Sequence, residues 1–354
     1  MKKLLRLLLP VLVFSAFAVS SCNGPSEIVL PPNPGTEEPA VDPAEDDKPH
    51  EVVRPSSDDK NWTKRNVADG IVYWEFKAHD AISGAKQFVH VADIDMSKGY
   101  KFIIGYDGNS HVTSDMYKKK NAYVAINAGY ETSSIFMKFS GQLVFNIQND
   151  QISGTDVTNW KNDGAVCIED LAGTKVSICN SMCSKEGEDG VSQYGKALKE
   201  QRAFFREGSF IKKQAGVISS GPLLIYDYHP YGTTFVPAGT NTGSYAYEHP
   251  FNHQGVRHPR TAVAIDGQGH ILLIVADGRY SSICNGFTAK ELTNFLVKYF
   301  DPQYALNMDG GGSSTMCVAG LGDENTNVVN YPCDNDKADH AGERTVRTFF
   351  CITK

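Results

Sequence analysis

The feature that most constrains the fold of this chain is a series of short segments rich in Val, Ile, Phe and Tyr. Each segment is bounded by Gly, Asp or Asn, a pattern typical of β-strands between turns. They run from "GIVYWEFKA" (residues 70–78) to "RTVRTFFCIT" (344–353). Within the series, "RTAVAIDGQGHILLIVADG" (260–278) predicts a hairpin, with two apolar strands around a glycine-rich turn at 266–269.

Helical patterns are fewer. Residues 192–206 are compatible with a helix, and "TAKELTNFLVKYF" (288–300) is a stronger candidate. There Thr288 can cap the first turn and Glu291 completes a capping box, while apolar residues recur on one face. Many strands with few helices predict an α+β fold: a β-rich mixed sheet domain with a few helices packed on it.

The N-terminus has the pattern of an export signal. Lys2, Lys3 and Arg6 precede an apolar run over residues 7–19, which is too short for a comfortable membrane span. The signal ends in "VSSC", which resembles the lipobox of bacterial lipoproteins, although an ordinary signal with a nearby cysteine is the alternative. The resemblance implies that residues 1–21 are removed and that Cys22 is lipidated. We therefore expect a lipid-anchored protein of the bacterial cell envelope, periplasmic or on the cell surface.

Residues 22–60 are predicted to form a spacer. From residue 23 onward, this stretch holds half of the chain's prolines and ten acidic residues against three basic ones. High proline content and charge of one sign disfavour a packed core. No second linker of this kind follows, so residues 61–354 are expected to form one domain.

The charge of that domain argues against nucleic acid as a partner. The whole chain has a net charge of −7, to which the signal contributes +3, the spacer −7 and residues 61–354 only −3. A nearly balanced domain without a basic excess is not typical of general nucleic-acid binders.

The cysteines and acidic residues predict no metal or other cofactor. Seven cysteines follow Cys22; Cys179 with Cys183, and Cys317 with Cys333, are possible disulfide pairs in an exported protein. The paired, closely spaced ligands of a zinc site are missing from the sequence. An Asp-rich site remains compatible with Ca²⁺, but no ligand cluster with a recognisable spacing indicates one.

Three strand-like segments end in a polar residue followed by glycine. "AYVAINAGY" delivers Asn127, "ILLIVADGRY" delivers Asp277 and Arg279, and "YALNMDGGG" delivers Asp309. Each alone is more often a plain turn. Three in one domain favour a site where strand ends present side chains at a crevice.

The run "NMDGGGSSTM" (307–316) is the most specific of these ends. Gly310, Gly311 and Gly312 permit tight turns and close approach of a ligand, and Ser313 and Ser314 add hydroxyl donors. The spacing differs from that of a Walker P-loop. An anion held here also requires guanidinium groups, for which Arg260, Arg279 and Arg344 are the candidates, although each singly could form only a surface ion pair.

Two carboxylates complete the candidate site. Asp277 and Asp309 are the pair that we expect to act at a sugar carbon. The alternative for either aspartate is that it only caps its own turn.

The motifs together resemble the phosphodiester glycosidase family. "INAGY", "SSGPLLIYD", "HPRTAVAID", "VADGRY", "FTAKELTNFL", "ALNMDGGGSSTM" and "ERTVRTFFCI" occur in the order seen in that family, over roughly residues 120–354. The resemblance implies hydrolysis of a sugar 1-phosphodiester. By matching motif, it also implies site roles for Asn127, Arg260, Asp277, Arg279, Asp309, Gly310, Gly311, Ser313 and Arg344.

One departure from the family concerns the turn after Asn127. Many members carry two aromatic residues there, whereas in this chain Tyr130 is followed by Glu131. Since those aromatics would form a wall of the sugar pocket, the exact sugar is left open.

The residues suit such chemistry, because a departing phosphomonoester needs charge neutralisation more than a strong acid. One essential carboxylate, acting as nucleophile or base, and donors around the phosphate are therefore expected. Two rival functions remain: a non-catalytic glycan-binding surface lipoprotein, and a phosphodiesterase that cleaves the P–O bond.

Overall fold

The computed structural model describes residues 51–147, 159–181, 198–231 and 253–354, with only the backbone described for 198–202. The predicted signal peptide, Cys22 and most of the spacer lie outside these residues. His50–Lys354 form one compact unit.

Sixteen strands run through the described residues, at the bounds that follow. They are β1 Trp62–Ala68, β2 Ile71–Asp80, β3 Ala85–Ile94, β4 Lys101–Gly105, β5 Val124–Asn127, β6 Met137–Phe139, β7 Gln142–Phe145, β8 Gly164–Ile168, β9 Val176–Asn180, β10 Gly216–Ser220, β11 Leu223–Tyr226, β12 Arg260–Ile265, β13 Ile271–Ala276, β14 Tyr304–Asn307, β15 Met316–Val318 and β16 Phe349–Thr353.

The strands form three sheets. A seven-stranded sheet has the order β1-β2-β3-β13-β12-β14-β11, a five-stranded sheet the order β7-β6-β10-β8-β9, and a four-stranded sheet the order β15-β5-β16-β4. β12 and β13 form the predicted hairpin, in register from Arg260 opposite Ala276 to Ile265 opposite Ile271. The sequence predicts a mixed sheet, with parallel and antiparallel strand pairs. The strand pairs in these sheets are instead antiparallel. The sheet-rich α+β class itself is confirmed.

The helices in the described residues are few and short, apart from one that covers the large sheet. They are α1 Thr113–Lys120, α2 Leu198–Glu207, α3 Ser209–Lys213 and α4 Ala289–Tyr299. The predicted capping box of α4 is present: the Glu291 amide donates to Thr288 Oγ1 (3.1 Å) and the Thr288 amide to Glu291 Oε2 (2.9 Å). Of the helix predicted at 192–206, residues 192–197 lie outside the described residues.

Both faces of the large sheet are buried at its central strands β12 and β13, which explains why these strands are almost uninterrupted apolar runs. On one face, alternate residues such as Val91, Leu272 and Ile274 join a cluster with Leu292 and Phe295 of α4. On the other face, the intervening residues join the apolar residues of the two smaller sheets. The large sheet is therefore a rigid platform, and its ends can hold side chains in fixed positions.

The compact unit includes residues 51–60, which the sequence analysis places in the spacer. Arg54 donates to Asp93 Oδ2 (2.7 Å) and to Asp266 Oδ2 (2.6 Å), and Pro55 is buried. The sequence analysis assigns this stretch to the spacer because acidic residues are in excess there. Its one arginine nevertheless binds two carboxylates of the large sheet.

The six cysteines in the described residues are unpaired and buried. The suggested pairing of Cys317 with Cys333 does not form, because Cys317 lies within β15 in an apolar cluster while Cys333 Sγ faces Arg279 Nη1 at 3.6 Å. Cys183, the suggested partner of Cys179, lies outside the described residues. Within the described ranges no helix has the length and apolar character needed to cross a membrane.

Candidate active site

The glycine loop lies where the ends of β5, β12, β13 and β14 meet. After β14, the Met308 amide donates to Thr261 O (2.8 Å) and the Asp309 amide to Ala128 O (2.9 Å). Residues Gly311–Ser313 then form one turn of 3-10 helix. Backbone hydrogen bonds to two other strands thus fix the position at which Asp309 leaves the sheet.

Glycine is required in this loop for two physical reasons. Gly311 has φ +64°, the left-handed region, and a Cβ there would lie 3.0 Å from Arg279 Nη2. A Cβ at Gly312 would overlap Asp334 Oδ1 and Arg344 Nη2. The glycines therefore let two guanidinium groups pack directly against the loop.

Three amides of the loop form hydrogen bonds within the protein. The Gly311 amide donates to Pro259 O (2.9 Å), the Ser313 amide to Gly310 O (3.3 Å) and the Ser314 amide to Gly311 O (3.2 Å). Because these three donors are engaged within the protein, the donors left for an anion at this loop are the amides of Gly310 and Gly312 and the arginine side chains.

Two of the three predicted arginines are placed to bind an anion. Arg279 is exposed, and its φ of +68° directs it back over the loop beside Gly311. Among the described residues it forms no ion pair. Arg344 makes a bidentate pair with Asp334, at 2.6 Å for both Nε and Nη2, but nearly half of its side chain remains exposed.

Arg260 has a different role from the one predicted. It is buried, and its guanidinium donates to Phe287 O (2.8 Å) and Val256 O (2.9 Å). Desolvation lowers the pKa of Arg260 to about 10. Its hydrogen bonds to these carbonyl groups hold the chain around β12 in place, so Arg260 stabilises the backbone next to the loop.

Asn127 and Ser314 also lie behind the loop, although the sequence places them in contact with substrate. Asn127 is fully buried; its Nδ2 donates to Asp309 O (2.6 Å) and its Oδ1 accepts from Thr261 Oγ1 (2.8 Å). Ser314 is buried beside Thr261, and its hydroxyl accepts a hydrogen bond from Thr261 Oγ1 (3.2 Å). Their side chains position the loop instead of facing solvent.

Asp309 is the carboxylate at the mouth of the loop. It is half-buried, and Ser313 forms a side-chain hydrogen bond with it. Desolvation raises the pKa of Asp309 to about 6; the charge of Glu131 also raises it, while the Ser313 hydrogen bond and the charges of Lys161 and Arg344 lower it. A carboxylate whose pKa is raised toward neutral pH and that lies beside guanidinium groups is suited to proton transfer.

Asp277 is held in a different way. It is buried, and its Oδ1 accepts from Asn330 Nδ2 (2.9 Å) and from the Tyr331 amide (3.0 Å). Its Oδ2 lies 3.1 Å from His90 Nε2, and the Tyr73 hydroxyl lies 2.7 Å from His90 Nδ1. Both oxygens thus accept hydrogen bonds from the protein, which favours a structural role for Asp277 over the predicted action at a sugar carbon.

The sequence analysis misses a cluster beside Asp309, formed by Tyr130, Glu131, Trp160 and Lys161. Lys161 Nζ lies 2.5 Å from Glu131 Oε1 and 5.2 Å from the centre of the Tyr130 ring. The Tyr130 hydroxyl donates to Gly221 O (3.0 Å) and lies 3.1 Å from Asn307 Nδ2. The "YE" departure is a signal for this cluster in the sequence, whereas "NWKND" around Lys161 belongs to no motif.

Among the described residues, no group of three or more His, Cys, Asp or Glu side chains could hold a metal ion. The donors around Asp309 are guanidinium, ammonium and hydroxyl groups. A set of this kind is suited to an anionic ligand.

Comparisons with known proteins identify the family of the chain. The family model described as phosphodiester glycosidase matches residues 120–353. Human N-acetylglucosamine-1-phosphodiester alpha-N-acetylglucosaminidase is 26% identical over 183 residues, which cover 50% of this chain and 32% of the human protein. The chain thus spans about a third of the length of that relative.

A solved structure is similar to the fold. The zebrafish N-acetylglucosamine-1-phosphodiester alpha-N-acetylglucosaminidase catalytic domain, described as auto-inhibited by its pro-peptide, has a TM-score of 0.53 and 17% identity. The match covers 86% of this chain and 87% of the zebrafish one. At this identity the likeness concerns the fold alone.

Proposed function

Because the chain belongs to the phosphodiester glycosidase family, we propose that it hydrolyses a sugar 1-phosphodiester and releases the sugar from the phosphate. The observation that carries this proposal is the position of Asp309. Its carboxylate, with a pKa raised to about 6 by desolvation, stands at the mouth of a loop whose glycines admit Arg279 and Arg344. A carboxyl group suited to proton transfer and guanidinium groups for the phosphate thus lie together.

The arginines bind the phosphodiester and stabilise the group that departs. Cleavage of the sugar C–O bond leaves a phosphomonoester, whose extra negative charge develops on the phosphate oxygens. Arg279 is free to form two parallel hydrogen bonds to such oxygens, and Arg344 adds positive charge from the other side of the loop. Arg344 is held by its pair with Asp334 before the reaction, so its charge needs little reorganisation when the phosphate charge appears.

The sugar is N-acetylglucosamine or a close analogue, joined through its anomeric oxygen to phosphate on an exported glycoconjugate. The human and zebrafish relatives are named for N-acetylglucosamine phosphodiesters, which supports this choice. The exact sugar depends on the wall of the pocket next to Tyr130 and Glu131. There the chain departs from the two aromatic residues of many family members.

The enzyme acts at the bacterial cell envelope, anchored by lipid at Cys22. The order of basic head, short apolar run and "VSSC" supports this part of the proposal. A proline-rich, acidic spacer of about thirty residues before residue 51 would allow the catalytic domain to reach glycoconjugates away from the membrane.

A panel of alkyl phosphodiesters of sugar 1-phosphates, with the N-acetylglucosamine compound included, tests the activity. We expect free sugar and alkyl phosphate as products, identified by mass spectrometry. Binding of the panel without turnover would favour the glycan-binding alternative. Release of sugar 1-phosphate and free alcohol would instead indicate a phosphodiesterase.

A further inference from the structure

We propose that Glu131 is a second catalytic carboxylate: the ionised base that takes a proton from the attacking water, while Asp309 is the acid that protonates the departing phosphate oxygen. This inference rests on the proposed function, because it assigns roles within the same site. It also gives a purpose to the residue at which the chain departs from the aromatic pair of its family.

The local geometry leaves one oxygen of Glu131 available. Ser134 Oγ donates to Glu131 Oε1 (2.6 Å), and Lys161 Nζ binds the same oxygen (2.5 Å). In the described part of the chain, Oε2 has no side-chain donor. Half of the Glu131 side chain is exposed, whereas Lys161 is buried to 1% exposure. One oxygen is therefore anchored, and the other can reach a water molecule.

Glu131 and Asp309 are brought together by the backbone. Glu131 lies three residues after Ala128, whose carbonyl accepts the Asp309 amide at 2.9 Å. The hydroxyl of Tyr130 lies 3.1 Å from Asn307 Nδ2, two residues before Asp309. The two carboxylates are close enough for the charge of Glu131 to raise the pKa of Asp309.

Their surroundings separate their protonation states. Burial alone would raise the pKa of Glu131, but the charge of Lys161 and hydrogen bonds from Lys161 and Ser134 hold it below its ordinary value. Desolvation raises the pKa of Asp309 to about 6. Two carboxyl groups whose pKa values are pushed in opposite directions are suited to act as a base and an acid.

The groups that set these two pKa values come from several elements. Those that affect Asp309 are Glu131, Lys161, Ser313 and Arg344, and those that affect Glu131 are Lys161 and Ser134. Desolvation raises the pKa of Tyr130, which lies beside both carboxylates, and the charge of Arg260 lowers it. His253 packs on Trp160, with 4.7 Å between the ring centres.

The reaction balances as the addition of one water across the C–O bond. Glu131 accepts a proton from water as the water oxygen bonds to the anomeric carbon. The bond from that carbon to the phosphate oxygen breaks, and its electron pair goes to the oxygen, which takes the proton of Asp309. Glu131 then releases its proton and Asp309 regains one, so both groups return to their starting states.

The structural alternative is that the Glu131–Lys161 pair only fixes the turn at residues 130–135. Wild type, Glu131→Gln, Lys161→Met and, as a matched control, the exposed Glu207→Gln are compared for the pH dependence of turnover and for thermal unfolding. We expect Glu131→Gln to lower kcat by roughly 100-fold or more with an unchanged melting temperature, and Glu207→Gln to match wild type.

The pH profile separates a catalytic role from a structural one. In wild type, kcat/KM is expected to fall as pH rises through about 6, where Asp309 loses its proton, and again in acid, where Glu131 gains one. Glu131→Gln should lose the acid limb. Lys161→Met should shift the profile to higher pH, because Lys161 lowers both pKa values.

Full kcat in a folded Glu131→Gln variant would overturn the proposal, as would wild-type activity that rises through pH 6. A wild-type protein that hydrolyses none of the sugar phosphodiesters would contradict the proposed function itself. Loss of activity in Asp309→Asn but not in Glu131→Gln would contradict only the role of Glu131.

Discussion

Asp277 and Asp309 have nearly the same sequence context and opposite surroundings. Each follows an apolar strand of the same sheet and precedes glycine. Asp277 receives hydrogen bonds on both oxygens from the protein, whereas Asp309 is half-buried, and its pKa is raised to about 6 by desolvation. An Asp-Gly pair at a strand end thus indicates the edge of the site. Whether that carboxylate takes part in the reaction or only stabilises the structure depends on the hydrogen-bond donors around it.

Asp309→Asn gives the largest expected effect on activity. The amide keeps the shape of the side chain but cannot transfer the proton, so kcat should fall by about 10³-fold. The folded-state pKa is raised above the unfolded value, so ionised Asp309 weakens the fold above about pH 6. The variant should therefore be at least as stable as wild type at pH 7, and normal turnover in it would remove Asp309 from the mechanism.

Asp277→Asn should show the reverse pattern. An amide at this buried position cannot accept from His90, Asn330 and the Tyr331 amide together, and donors left unsatisfied cost roughly 3 kcal/mol of the free energy of unfolding. The rate per folded molecule should fall far less than in Asp309→Asn. Denaturant unfolding and active-site-normalised turnover measure the two effects, and unchanged stability with abolished turnover would contradict the structural role.

Gly312→Ala tests the close approach of Arg344. The added methyl group overlaps the Arg344–Asp334 pair, while the backbone of residue 312 is not in the left-handed region. We expect KM to rise by roughly tenfold or more as the guanidinium moves. The half-buried Gly108→Ala, where a methyl group meets open space but the backbone has φ +90°, controls for glycine substitution at a distant turn. An unchanged KM in Gly312→Ala would remove Arg344 from the phosphate site.

Arg279→Lys has the smallest expected effect of these variants. Arg279 follows Asp277 by two residues and packs on Gly311, so it links the two strand ends. Lysine keeps the charge but loses the planar fork, and kcat/KM should fall by about tenfold without a change in melting temperature. Equal kcat/KM values for the two proteins would show that Arg279 supplies charge only.

Much of the fold follows from local patterns. The strands that bury both faces are long, apolar and bounded by turn residues, and the capping box marks the start of α4. β1 escapes prediction because most of its residues are polar and exposed, and β6 and β15 because they have only three residues each. Their pairing depends on neighbours that a local pattern does not contain.

The site is only partly predictable for a similar reason. The sequence nominates Asp309, Arg279 and the glycine loop because strand ends followed by glycine are visible locally, and it nominates Arg344 as a guanidinium group for an anion. It does not distinguish them from Asp277, Asn127 and Arg260, since the partners of those side chains come from distant segments. Asp277, for example, is satisfied by His90 and Asn330, which lie 187 and 53 residues away in the chain.

The most direct test of the account is the position of bond cleavage. Hydrolysis of an alkyl phosphodiester of N-acetylglucosamine 1-phosphate in ¹⁸O-labelled water inserts the label at the atom that is attacked. The alkyl phosphate is the product to analyse, because the anomeric oxygen of a free sugar exchanges with water. Attack at the sugar carbon, with Asp309 and the arginines in the roles proposed, predicts alkyl phosphate without label. One ¹⁸O in the alkyl phosphate would mean attack at phosphorus and would contradict the account.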